Sequence, residues 1–172
     1  MKTKKQYAAL PYIVFKNHIE VLLITRRRSQ RWIVPKGWPE DDMSPHKLAE
    51  LEAYEEAGLR GQIGKKSIGR FSYIKQLSKD EKILCDVEVY PLAVRAQCLD
   101  WPEKGQRLLL WLKPKKAAAL IEEQDLGEVI RRFIPPKNLM KTRTTKMPKS
   151  NTKPTIKTKA KSALNNKINA SF

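Results

Sequence analysis

Three glutamates that lie close together in the chain could bind a metal ion: Glu52, Glu55 and Glu56. On an α-helix their carboxylates fall on one arc of the surface, while the neighbouring apolar residues fall on another. Like charges this close repel each other, so a cation should compensate them. Mg²⁺ binds carboxylate oxygens and completes its shell with water and phosphate oxygens. The cluster therefore indicates metal-assisted attack of water on phosphorus, with a solvated acidic helix face as the simpler alternative.

The residues around the glutamates predict the helix that positions them. Ser44 is a favourable N-cap, Pro45 suits the first turn, and Gly58 suits a left-handed C-cap, so we expect a helix from Ser44 to Ala57. Gly37 precedes this helix in a loop, where the absence of a side chain lets a backbone carbonyl approach a metal ion.

Basic residues cluster just ahead of the helix, at Arg26, Arg27, Arg28, Arg31 and Lys36. Guanidinium groups bind phosphate oxygens in a bidentate way, so this rim favours a ligand with many phosphates. Strand side chains alternate between faces, and we expect at least two of the five to point into solvent. Trp38 could stack on a base or cap the site, or pack on the domain surface.

The elements that must hold these residues are short β-branched and aromatic runs interrupted by turns. Helices are expected at Ser44–Ala57, from Pro114 to Glu123 and after Asp125. Because strands and helices do not alternate regularly, the pattern favours a mixed α+β domain over a doubly wound sheet. The predicted strands are Ala8–Phe15, Glu20–Arg26, Trp32–Pro35, Ser67–Ile74, Ile83–Val94 and Leu108–Leu112.

The charge divides the 172-residue chain into two parts. Of the net charge of +17, +10 lies in residues 137–172, which contain ten Lys and Arg and no acid. We predict a folded domain at 1–136 and a disordered basic tail at 137–172, which either keeps the protein soluble or attracts RNA or another polyanion weakly. No apolar run is long enough to span a membrane. Cys85 and Cys98 form no metal or disulfide pattern, so we expect a reducing cytoplasm.

Residues 35–59, PKGWPEDDMSPHKLAELEAYEEAGL, resemble the Nudix hydrolase signature G-x5-E-x7-R-E-U-x-E-E-x-G-U, where U is bulky and aliphatic. Residues 31–38 and 100–111 are similar to the diphosphoinositol polyphosphate phosphohydrolase branch of this family. Three signature positions differ: its first glutamate is Met43, its arginine is Leu51, and its bulky aliphatic residue after the first catalytic glutamate is Ala53. In the family that arginine helps to hold the catalytic glutamates. The matching positions are Gly37, Glu52, Glu55, Glu56, Gly58 and Leu59.

The resemblance implies an α/β/α sandwich with a mixed central sheet and an enzyme that cleaves diphosphate linkages with Mg²⁺ or Mn²⁺. It makes the three glutamates catalytic and metal-binding, with the Gly37 carbonyl as a further metal ligand. The glutamate that acts as the base stays open. The expected substrate-binding residues are Arg26, Arg28, Arg31, Lys36, Trp38 and, by similarity to the same branch, Arg107.

The expected substrate is a diphosphoinositol polyphosphate or a dinucleoside polyphosphate. The 5′ end of RNA or a mononucleotide is the alternative within the family. A non-catalytic module that binds a phosphorylated ligand is the alternative outside catalysis, since Met43 and Leu51 depart from the signature.

Overall fold

The structure is a computed structural model that describes residues 2–140. Within this range the chain forms eight strands and four helices. In chain order they are β1 (Lys2–Val14), β2 (Ile19–Thr25), β3 (Trp32–Ile33), β4 (Lys36–Gly37), α1 (Pro45–Ala57), β5 (Leu59–Ile63), β6 (Gly69–Gln76), β7 (Lys82–Gln97), β8 (Leu109–Leu112), α2 (Pro114–Leu120), α3 (Gln124–Arg131) and α4 (Lys137–Met140).

The described strands form one mixed sheet built on β1 and β7. These two long strands run parallel to each other, with Lys2 opposite Ile83 and Tyr12 opposite Ala93. β2 and β4 pair antiparallel with β1, while β5 and β6 pair antiparallel with β7. β3 and β8 extend the sheet by pairing with β2. The long β1–β7 pair gives the site a rigid floor.

Helices cover both faces of this sheet. Gly37, which is in register with Tyr7, lies against α1, whereas Gly69 lies against Val129 of α3. Gly69 pairs with Val89, and Val89 pairs with Ala8. Because the adjacent residues Tyr7 and Ala8 point to opposite faces, α1 and α3 lie on opposite sides of the sheet. The arrangement confirms the expected α+β sandwich with a mixed sheet.

The start and end of α1 follow the predicted signals. Ser44 is the N-cap in an extended conformation, although its side chain makes no capping bond, and Pro45 opens the helix. Gly58 ends it with φ +70°, and its N–H bonds to the carbonyls of Ala53 and Tyr54. Only glycine adopts this left-handed conformation without strain, so the end of the helix is fixed next to the glutamates.

The sequence pattern finds six of these strands and misses parts of others. β4 and β5 were not predicted, and β1 begins at Lys2 instead of Ala8. The first four residues of β1 are exposed lysines and a threonine, so they carry no apolar signal; their pairing with β7 makes them a strand.

The folded domain extends beyond the predicted boundary at residue 136. Leu139 of α4 is buried in the core, and the Arg95 guanidinium donates to its carbonyl over 3.1 Å. Residues 137–140 therefore form a helix that packs on the domain, and the rest of the predicted tail lies outside the described residues. Among the helices at 2–140, none combines the length and apolarity needed to cross a membrane.

Candidate active site

α1 directs its glutamates toward the short strand β4. A Cβ atom built on Gly37 would overlap the Glu52 carboxylate, so Glu52 lies directly against the glycine backbone. Glu56 is buried one turn further along, and its Oε2 accepts the Lys36 backbone N–H over 3.1 Å. The pairing of β4 with β1 fixes this backbone segment. Glu52 and Glu56, two of the three predicted carboxylates, therefore both lie against β4.

The second oxygen of Glu56 is held by Arg107. The Arg107 Nη2 atom donates to Glu56 Oε1, Nε donates to Glu103 Oε2 over 2.7 Å, and Nη1 donates to the Thr25 carbonyl over 3.0 Å. The side chain of Arg107 is only 8% exposed. The sequence predicted that Arg107 binds substrate; the structure instead surrounds its guanidinium with protein acceptors, which argues against a direct phosphate contact.

The loop before β8 is fixed to the same helix. The Glu103 N–H donates to the Glu55 carbonyl over 3.0 Å, and the Leu108 N–H donates to the Thr25 hydroxyl over 3.0 Å. Gly105, with φ +79°, permits the turn between these contacts. The loop thus presents Glu103 and Arg107 to the C-terminal end of α1.

Burial and mutual repulsion disfavour the ionised carboxylates. The pKa of Glu52 is raised to about 7, first by burial and then by the negative charges of Glu56 and Glu55. Burial also raises the pKa of Glu56, against the opposing effects of Arg107 and Lys36. A bound cation would relieve this repulsion.

The donor set fits a hard divalent cation, because it consists of carboxylate oxygens beside an open glycine backbone. Within residues 2–140, however, no three His, Cys, Asp or Glu side chains converge closely enough to hold a metal as they stand. Both oxygens of Glu56 already accept hydrogen bonds. Binding by all three glutamates therefore requires at least one side chain to change its conformation.

A cationic and aromatic group adjoins the carboxylates. Arg26 and Lys36 lie over the ring of Tyr73, with the guanidinium carbon 4.6 Å and Nζ 5.2 Å from its centre. The pKa of Lys36 is lowered to about 8, mainly by burial, with Arg26 and Lys75 adding repulsion and Glu56 opposing them. The structure thus places Lys36 beside the carboxylates, and it places Lys75 and Arg26, which pairs with Glu123, close to Lys36.

Trp38 occupies the outer part of this group. Lys75 Nζ lies 4.7 Å from the centre of the Trp38 ring, and Lys4 Nζ lies 5.7 Å from it. The indole also packs against the core and is partly buried. Both interpretations of Trp38, surface packing and a stacking platform near the site, are compatible with this position.

The remaining arginines of the predicted rim lie in an exposed loop. Arg31 forms an ion pair with Glu122 over 2.8 Å, and both side chains are more than half exposed. Arg27 contacts Gln106 and Glu103 on the loop before β8. Arg28 is exposed and has no ion pair within residues 2–140. The structure does not bring Arg28 or Arg31 into contact with the carboxylates.

Sequence reasoning missed Lys75, Tyr73 and Glu103. A signal for the first two was available in β6, where buried Phe71 and Tyr73 alternate with exposed residues. Lys75 continues that buried face, and a lysine there needs an explanation. Glu103 gave no comparable signal, since its contact with Arg107 depends on the loop.

The chain is similar to known proteins in its sequence and in its fold. Nudix hydrolase 21, chloroplastic, of Arabidopsis thaliana is 34% identical over 125 residues, which cover 70% of this chain and 61% of that protein. The Ap4A hydrolase of C. elegans, solved as a binary complex, aligns with a TM-score of 0.55 at 17% identity, covering 74% of this chain and 93% of the other. The chain has the Nudix fold and is a sequence relative of the Nudix hydrolases.

A human relative points to one branch of the Nudix hydrolases. Diphosphoinositol polyphosphate phosphohydrolase 3-beta of Homo sapiens is 34% identical over 106 residues, which cover 60% of each protein. No family model matches the chain. The chain spans about three-fifths of the length of these curated relatives. These findings confirm the resemblance that residues 35–59 indicate.

Proposed function

We propose that the chain is a metal-dependent Nudix pyrophosphohydrolase that cleaves a diphosphate linkage in a highly phosphorylated substrate. The observation that supports this most strongly is the position of Lys36 beside the carboxylates of Glu52 and Glu56, with Arg26 and Lys75 close to Lys36. Cations next to a carboxylate site suit a substrate with several phosphates beyond the linkage that breaks. A diphosphoinositol polyphosphate or a dinucleoside polyphosphate meets this requirement, and relatives named for both exist.

Glu52, Glu55 and Glu56 with the Gly37 carbonyl would hold Mg²⁺ or Mn²⁺. When bound, such an ion neutralises phosphate charge and lowers the pKa of a coordinated water. The glutamates also orient water and accept its proton as its oxygen attacks one phosphorus and the bridging oxygen leaves with the other phosphate.

Lys36 and Arg26 bind and orient the phosphates that do not react. Both groups lie on Tyr73, whose hydroxyl donates to Gln6 Oε1 over 2.7 Å, so the ring they lie on is itself fixed. Lys36 is half-buried, and cationic groups exert stronger electrostatic effects where water is excluded. Lys75 and Trp38 extend this surface outward and could contact the non-reacting end of the substrate.

The cysteines and the basic C-terminal residues suggest a location and a further ligand. We place the protein in the cytoplasm because its two cysteines, Cys85 and Cys98, are free thiols, as in reducing compartments.

The basic residues after Met140 would add weak, salt-dependent attraction to RNA. Truncation after Met140 should therefore weaken RNA binding and flatten its dependence on salt; an unchanged salt slope would exclude this role.

A second function rests on the contacts of Glu56. Because Arg107 and the Lys36 N–H occupy both of its oxygens, the site could bind a phosphorylated ligand without cleaving it. Such a module would bind an inositol or nucleotide polyphosphate through Lys36 and Arg26 and release no phosphate.

One experiment separates these functions. The full chain is incubated with Mg²⁺ or Mn²⁺ and a panel of diphosphoinositol polyphosphate, dinucleoside polyphosphate, 5′-triphosphorylated RNA and nucleoside triphosphate, and phosphate release is measured. We expect turnover of one of the first two, and Glu56→Gln should lower kcat by about 10³-fold. Glu50→Gln is the matched control, because Glu50 lies on the same helix but pairs with exposed Lys47. Equal turnover by wild type and Glu56→Gln would refute the enzymatic proposal.

A further inference from the structure

The active-site helix contains no arginine or lysine close to its glutamates. Its basic side chain at Lys47 pairs with Glu50 near the start of the helix, and position 51 is a leucine. Glu52, Glu55 and Glu56 nevertheless repel one another within one turn. An ion-pair partner for the Glu56 carboxylate must therefore come from another element of the fold.

Arg107 supplies this cation from the loop before β8. Its three guanidinium nitrogens bond to three separate elements: Glu56 on α1, Glu103 in the loop and the Thr25 carbonyl at the end of β2. A planar fork with three fixed partners has little freedom to rotate. The Glu56 side chain is only 9% exposed, so its Oε1 atom is held in a nearly water-free environment.

The backbone around Arg107 adds to this restraint. The Leu108 N–H bonds to the Thr25 hydroxyl, and the Thr25 N–H bonds to the Leu108 carbonyl over 3.1 Å. Thr25 is buried. The backbone next to Arg107 is therefore fixed to β2 as well as to α1.

We propose that Arg107 is a positioning residue that holds the Glu56 carboxylate in its working orientation, replacing from a different element the arginine that Leu51 lacks. This inference rests on the proposed function, and it gives Arg107 a role different from binding substrate. A phosphate ligand should affect KM, because it contributes to substrate binding. A positioning residue should affect kcat and metal affinity, because it acts through Glu56.

The test uses Arg107→Lys in the full chain. Lysine keeps the charge, so the variant should fold. It cannot bond to Glu56, Glu103 and the Thr25 carbonyl in one plane, so the Glu56 carboxylate should lose its fixed orientation. We expect kcat to fall about 10-fold, KM to stay within about 3-fold, and the Mn²⁺ concentration for half-saturation, followed by electron paramagnetic resonance, to rise about 10-fold. Arg70→Lys is the control, because Arg70 is exposed and pairs with Asp86 and Glu88, and no ion pair within residues 2–140 joins it to Glu52, Glu55 or Glu56.

The outcomes separate the inference from the proposed function. Unchanged kcat and Mn²⁺ affinity in Arg107→Lys, with an active wild type, would overturn the inference and leave the function intact. A raised KM with wild-type kcat would also overturn it and restore a substrate-binding role. If the wild type cleaves nothing in the panel, weaker Mn²⁺ binding by Arg107→Lys than by the wild type still supports the role of Arg107. If the wild type neither binds Mn²⁺ nor cleaves a substrate, the role of Arg107 and the proposed function are both overturned.

Arg107→Met extends the test to the loss of the charge. Because this variant leaves the buried Glu56 carboxylate without its ion-pair partner, its fold must first be confirmed by circular dichroism. If it is folded, the fall in kcat should exceed that of Arg107→Lys. A folded Arg107→Met with wild-type kcat would contradict the proposal.

Discussion

Arg107 and Arg31 both form ion pairs with glutamates, but the Arg107 side chain is 8% exposed and that of Arg31 is 57% exposed. Arg107 bonds to three partners fixed in the fold, whereas Arg31 meets the exposed Glu122 from a loop. In water an ion pair contributes little, because solvent screens it. In the interior, a partner left alone cannot be solvated. The two arginines look alike in sequence, and burial alone assigns one to the site and the other to the surface.

The largest expected effect concerns stability. Arg107→Met should lower the free energy of unfolding by about 3–5 kcal/mol, since it leaves the buried Glu56 carboxylate without its ion-pair partner. Arg31→Met should change it by about 0–1 kcal/mol. Urea unfolding of the metal-free proteins measures both. Equal losses in the two variants would show that burial does not distinguish these pairs.

Gly37→Ala should be the next most damaging change. Its Cβ atom would occupy the space of the Glu52 carboxylate and push it away from β4. We expect kcat/KM to fall about 10²-fold with little loss of stability, because a side chain end can move aside. Gly127→Ala in α3 is the control: its Cβ meets only the Ala118 carbonyl at 3.5 Å. Wild-type activity in Gly37→Ala would mean that Glu52 need not lie against this strand.

The metal-free protein should lose stability as pH rises, because of Glu52. Its pKa is about 7 in the folded state against 4.5 as the ordinary value, so between these pH values the folded chain keeps a proton that the unfolded chain releases. Glu52→Gln removes this effect. Above pH 7 it should be more stable than wild type by about 1–2 kcal/mol, and near pH 4 the two should be equal. Chemical unfolding across this range checks it; a difference that does not vary with pH would contradict the explanation.

Substrate binding should separate Lys36 from the exposed loop. Lys36→Met should raise KM about 10-fold, because a charged hydrogen bond to phosphate is lost in a partly buried place. Arg31→Met should raise KM less than about 2-fold. In 0.5 M salt this small effect of Arg31→Met on KM should disappear, because salt screens exposed charges. Steady-state kinetics of the two variants at low and high salt provide the comparison. A larger effect from Arg31 would place the substrate over the loop.

The smallest effect should come from restoring the Nudix signature. Met43→Glu combined with Leu51→Arg should raise kcat/KM by less than about 3-fold, because Arg107 already holds Glu56 and additional contacts of one carboxylate add little. A much larger gain in activity would indicate that the present site is degraded and that Arg107 does not compensate for Leu51.

The sequence was sufficient for the parts of the molecule with local signals. α1 has its N-cap residue, its first-turn proline and its glycine stop within one segment, so its bounds were predictable. β4 is two residues long and exists because Tyr7 and Ala8 of β1 pair with it. Two residues are too few to show the alternation of apolar and polar side chains that indicates a strand, so the local sequence could not predict β4.

The basic residues of the site were also predictable only where they lie near the signature in the chain. Arg26 and Lys36 were predicted because they lie near the signature in the chain, whereas Lys75 arrives through the pairing of β6 with β7. The contacts of Arg107 could not be predicted, because composition shows a cation but not its burial. Its partners Glu56 and Thr25 are 51 and 82 residues away, and only the folded loop brings them together.

A double-mutant cycle on Glu56→Gln and Arg107→Lys tests most directly whether Arg107 works through Glu56 in catalysis. If it does, removing the carboxylate charge leaves Arg107 nothing to position, and kcat of the double variant should lie within about 2-fold of Glu56→Gln alone. A further loss of about 10-fold in the double variant, equal to the effect of Arg107→Lys in the wild type, would show that the two residues act independently and contradict the account.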